Sequence, residues 1–74
     1  MILQLRHGKT LYEVNVPRGS QIHRTAIGLP MLVVPGPRPQ DTASWVGAQE
    51  IVGAARRGQY GMSFRSERRL AACF

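Results

Sequence analysis

Residues 2–16 carry two runs of alternating side chains on either side of a glycine-centred turn, and so short a connection leaves the two strands only an antiparallel arrangement. Leu3 and Leu5 alternate with Ile2, Gln4 and Arg6, and Tyr12, Val14 and Val16 alternate with Leu11, Glu13 and Asn15. This period of two, in β-branched and aromatic company, marks strands with one buried face. His7-Gly8-Lys9 supplies the turn, with Gly8 free to take positive φ. Pro17-Arg18-Gly19-Ser20 ends the second strand, because proline has no N–H to continue a ladder.

Further along, Gln21–Ile27 predicts a third strand marked by Ile22 and Thr25, and Met31–Val34 a fourth, short, apolar and bounded by prolines. Pro35-Gly36-Pro37-Arg38-Pro39 reads as a stiff extended connector inside the domain. Residues 41–57 read as an amphipathic helix. Asp41 or Thr42 is placed to cap it, and Trp45, Ala48, Ile51, Val52 and Ala55 fall on one face. Arg56 and Arg57 meet the negative end of its dipole, and Gly58 is the left-handed residue that stops it. Tyr60, Met62 and Phe64 alternate, so Gln59–Arg65 predicts another strand. Residues 66–74 admit two readings. Ser66 caps a short helix with Leu70, Cys73 and Phe74 on one face, or Arg65-Ser66-Glu67-Arg68 turns into a last strand over Arg69–Phe74. The strand is preferred, because so short a helix needs strong docking to persist.

The order predicts an α+β fold: a small antiparallel sheet of about four or five strands with the single helix packed on one face and Trp45 anchoring the contact. Seventy-four residues allow one domain, 1–74, with a limited core. Cys73 is the only cysteine, which excludes an intrachain disulfide and points to a reducing compartment. The opening residues Met1–His7 do not make a signal peptide, since Gln4 and Arg6 break the apolar run. The longest apolar stretch, Ile27–Gly36, is interrupted by Gly28, Pro30 and Pro35, so no membrane helix is expected and the expected location is cytoplasmic.

The chemistry of an enzyme is hard to find. Gly8-Lys9-Thr10 has the ending of a phosphate-binding P-loop, but position 3 is Leu3 where that loop needs glycine, and a strand follows in place of a helix. His7, His23 and Cys73 are scattered, without the spacing of a metal site or of a Cys–His nucleophile pair. The four carboxylates, Glu13, Asp41, Glu50 and Glu67, suggest no acid–base pair. We therefore expect a non-enzymatic protein with no cofactor and no metal.

The net charge of +6 comes from nine arginines and Lys9 against four acids. An Arg-, Ala-, Gly- and Pro-rich composition fits a GC-rich genome, which would account for arginine over lysine but not for the shortage of acids. Five of the nine arginines, Arg56, Arg57, Arg65, Arg68 and Arg69, crowd into one stretch with Tyr60 and Phe64, opposed only by Glu67. Arginine forks match phosphate oxygens and aromatic rings stack on bases. Against stacking, the alternation of Tyr60, Met62 and Phe64 is that of a core-facing row. Arg18, Arg24 and Arg38 are candidates to extend the basic surface. The expectation is a basic binder of nucleic acid or of a ribonucleoprotein. A second expectation is an inhibitor or adaptor, of the kind phages and mobile elements carry, that docks on an acidic or apolar face of a host protein complex. Open strand edges make a homodimer compatible with either.

Overall fold

A computed structural model describes residues 1–71. It bears out the α+β class, with six antiparallel strands in two three-stranded sheets and one helix packed against them. The first sheet holds β1 (Ile2–His7), β2 (Thr10–Asn15) and β6 (Ser63–Arg69), with β2 in the middle. The second holds β3 (Gln21–Arg24), β4 (Pro30–Val34) and β5 (Ala43–Val46), with β4 in the middle. The helix, α1, is Ala48–Arg56.

The first hairpin forms as its pattern requires. His7 pairs with Thr10 across a two-residue turn in which Gly8 has φ +60°. Leu5, Tyr12 and Val14 on one face are buried, while Gln4 and Arg6 on the other are exposed. The core they start runs through both sheets. Leu32 and Val34 of β4 and Ile51, Val52, Ala54 and Ala55 of α1 belong to the same buried cluster.

The predicted helix over 41–57 is corrected at its start. Trp45, expected on the helix face, stands on β5 opposite Leu32 and packs on the core from there. Asp41 and Thr42 do not cap a helix; no side chain does. The reason is Gly47. Its φ of +91° and ψ of 149° lie in a region almost closed to other residues, and they turn the chain from strand to helix in one step. The Gly47 N–H closes the ladder on the Pro30 carbonyl at 2.7 Å, and the Gly47 carbonyl accepts the first helical bond from Ile51 N–H at 3.1 Å. From Ala48 the predicted face holds, with Ala48, Ile51, Val52 and Ala55 all buried. Gly58, left-handed at φ +66°, ends the helix as expected.

The proline run does not extend. An ion pair from Arg38 Nε to Asp41 Oδ2 at 2.9 Å and a 3-10 turn over Pro39–Asp41 fold it back until Asp41 lies against Gly36. The strand expected over Gln59–Arg65 begins later. Gln59–Gly61 is a second 3-10 turn, with Tyr60 in the left-handed region at φ 53°. There is no turn at Arg65–Arg68, since β6 is continuous from Ser63 to Arg69. The third strand ends at Arg24, short of the predicted Ile27. Of the predicted last strand, Ala72, Cys73 and Phe74 lie outside the described residues.

Candidate anion-binding surface

Strand register decides which way each arginine points. Residues paired across an antiparallel sheet share a face. Val14 and Tyr12 face the core, so their partners Phe64 and Glu67 lie on the helix side, as does Arg69 opposite Thr10. Glu13 and Leu11 face the other way, and so do their partners Ser66 and Arg68. The change of phase between Phe64 and Ser66 is a β-bulge opposite Glu13 and Val14, with Arg65 as the extra residue. Its charge acts on Glu13.

The five arginines singled out in the sequence therefore divide across the sheet. Arg68 belongs to the outer face, and Arg65 sits at the bulge beside it. Arg56 and Arg69 belong to the helix side, and Arg57 is the C-cap residue of α1. Arg56 is partly engaged already. Its guanidinium lies 4.6 Å from the centre of the Phe64 ring, and its Nη2 is 3.7 Å from Glu67 Oε2. Phe64, packed on the core and covered by Arg56, offers no ring face to a base. Met62 is buried as the alternation predicts, but Tyr60 is not. It is 56% exposed and meets Trp45 edge-on at 5.5 Å between ring centres.

The structure also brings in basic residues that the sequence reading did not group with these. Across the outer face run Arg6, Leu11 and Arg68 in one row, and across the helix side run His7, Thr10 and Arg69. The Leu70 N–H donates to the Lys9 carbonyl at 2.7 Å, tying the end of β6 to the hairpin turn. One end of the first sheet thus carries Arg6, His7, Lys9, Arg68 and Arg69, and neither end row contains a carboxylate. The hairpin that supplies Arg6 and Lys9 is readable locally. The pairing of β2 with β6, about fifty residues on, has no local signal.

Of the three candidate extensions, Arg24 lines a groove together with Arg6, while Arg18 and Arg38 lie elsewhere. Arg18 follows β2 at the end away from Lys9. Arg24 closes β3 and donates from Nη1 to the Gly28 carbonyl at 3.0 Å, and Arg38 is held by Asp41. Among the described residues no group of three His, Cys, Asp or Glu side chains is placed to hold a metal ion.

Glu13, the carboxylate nearest the basic end on the outer face, is tied down. Gln4 Nε2 donates to Glu13 Oε2 at 2.8 Å, and Ser66 Oγ donates to Oε1 at 2.9 Å. The hydrogen bond from Gln4, then that from Ser66, hold its pKa below the usual glutamate value. A small loss of hydration opposes them, and the charges of Arg65 and Arg68 assist. A lowered pKa favours the folded state above the unfolded value, and that contribution is lost as pH falls through the folded one. In an NMR titration Glu13 is expected to titrate below an unstructured glutamate, and Gln4→Ala to move it upward. An unmoved midpoint in Gln4→Ala would contradict the assignment.

Comparison with known proteins adds no relative: no family model matches the chain, no curated protein is significantly similar to it, and no solved structure matches its fold.

Proposed function

We propose that this protein is a non-enzymatic binder that grips the phosphate backbone of a nucleic acid, free or within a ribonucleoprotein, with the basic end of its first sheet. The observation that carries the reading is the convergence of Arg6, Lys9, Arg68 and Arg69 in the two end rows and the turn, with no carboxylate among them. The nearest acids are occupied, Glu13 by Gln4 and Ser66 and Glu67 by Arg56. Arginine presents forked donors to phosphate oxygens, and lysine adds a compact charge. Because Arg68 and Arg69 project from opposite faces of an edge strand, a backbone passing over that edge meets both. Phe64 is covered, so base stacking contributes little, and the binding is salt-dependent and tolerant of sequence.

The test is oligonucleotide binding over a range of salt concentrations. Affinity should fall linearly on logarithmic axes. The triple variant Lys9→Ala, Arg68→Ala, Arg69→Ala should flatten the slope by about two to three, one phosphate contact per lost cation. Circular dichroism is expected to be unchanged, since these side chains are exposed. A flat salt dependence in the parent, or an unaltered slope in the variant, defeats the reading.

A further inference from the structure

A groove of about 270 Å³ lies between the two sheets, walled by Leu3–Arg6 of β1 and Ile22–Arg24 of β3, with Pro30 beside them. Both walls are edge strands. We infer that this groove takes an extended acidic segment of a partner protein, added as a strand to the free edge of β1. The inference goes beyond the nucleic-acid reading and shares only Arg6 with it.

Hydrogen-bond phase shows what the walls offer. Met1 and Val16 exchange both backbone bonds, at 2.8 and 3.1 Å. Bonded pairs alternate along an antiparallel ladder, so Leu3, Leu5 and His7 also turn their N–H and C=O groups toward β2. Ile2, Gln4 and Arg6 turn theirs outward. On β3, the Thr25 N–H donates to the Leu29 carbonyl at 2.9 Å, which by the same alternation turns Gln21 and His23 toward β4 and Ile22 and Arg24 away. Pro30 fits this phase, for it stands opposite Arg24, where β4 needs no N–H toward β3. Four of the groove's wall residues, Gln4, Arg6, Ile22 and Arg24, therefore present along it backbone donors and acceptors that have no partner among the described residues.

An alternating row of N–H and C=O groups is the complement of a peptide strand. It suits a phosphate backbone poorly, because the outward carbonyls would face phosphate oxygens. The side chains specify the rest. Arg6 and Arg24 flank the groove, neither has an ion-pair partner among the described residues, and no carboxylate lines the walls. Each guanidinium has donors to spare beyond its bond to the Gly8 or Gly28 carbonyl. Ile22, 47% exposed, and half-buried Leu3 give apolar contacts. All four residues of β3 are exposed, so an occupant there would cover an edge that the described residues leave bare. The segment that fits alternates acidic and apolar side chains.

The probe is an octapeptide alternating glutamate and valine, added to isotope-labelled protein and followed by amide exchange. The Gln4 and Arg6 N–H groups should slow by about tenfold or more at saturation, while Leu5 N–H, already bonded to β2, should not change. Arg24→Glu, and separately Arg6→Glu, should weaken the peptide by about tenfold. Methylating alternate peptide nitrogens should abolish binding, and a lysine–valine octapeptide should not bind. The triple variant at Lys9, Arg68 and Arg69 should keep the peptide, so the two readings fail separately. The inference is overturned if Gln4 and Arg6 stay unprotected, if both charge reversals leave affinity intact, or if an oligonucleotide protects these amides and the peptide does not.

Discussion

Ile51→Ala is expected to remove about 2–5 kcal/mol of folding stability, the cost of deleting a fully buried branched side chain whose site cannot collapse. Ile51 is 0% exposed at the middle of α1, in the one cluster that joins both sheets. Its helix neighbours Ala48, Ala54 and Ala55 have no side chain to swing into the void, Val14 and Leu32 are held by ladders on either side, and Val34 is paired with Ala43. A domain this small has about 4–11 kcal/mol in all. The loss therefore takes a large part of the total, and the thermal midpoint should fall by about 8 °C or more. Gln49→Ala, two residues earlier on the exposed face of the same helix, should stay within about 0.5 kcal/mol. Thermal and urea unfolding followed by circular dichroism would decide it. A shift for Ile51→Ala no larger than that for Gln49→Ala would mean the two sheets do not share a core.

The parts of this fold that depend on near neighbours are legible in the sequence. Leu3, Leu5, Tyr12 and Val14 alternate around Gly8 and form the hairpin, and Ala48, Ile51, Val52 and Ala55 form the helix face. The helix start is misread because Trp45 happens to continue the helical spacing, although Ser44-Trp45-Val46 is also a good strand. A backbone angle decides between them, and Gly47 is its only mark in the sequence. The site is less legible than the fold. Crowding of arginines between Arg56 and Arg69 is visible, but the bulge at Arg65 is not, and one extra residue sends Arg68 and Arg69 to faces opposite those that simple alternation from Phe64 would give. Lys9 and Arg6 join the basic end only through the distant pairing of β2 with β6. The groove between β1 and β3 depends on how two sheets are set against each other, which no local pattern encodes.

Two glycine-to-alanine exchanges should have opposite signs, and the larger falls in the folded-back proline run. At Gly36 an added Cβ would stand 2.4 Å from Asp41 Cβ, 2.6 Å from its carbonyl oxygen and 2.8 Å from its carbonyl carbon. Two of those atoms are backbone, and the segment is held by the Arg38–Asp41 pair and by the Asp41 N–H donating to the Arg38 carbonyl at 2.9 Å. The methyl fits only if this loop opens, which strains the entry to β5 and with it the seat of Trp45. Gly36→Ala should cost about 3 kcal/mol, the upper end for overpacking. At Gly53, inside α1, the nearest atom to an added Cβ is Arg57 Nη1 at 3.2 Å, the far end of an exposed and flexible side chain. That guanidinium can move aside, so Gly53→Ala should gain about 0.5–1 kcal/mol from helix propensity and a less flexible unfolded chain. Chemical unfolding of both variants beside the parent provides the measurement. A Gly36→Ala midpoint equal to the parent's would show that the run from Pro35 to Asp41 does not fold back on itself.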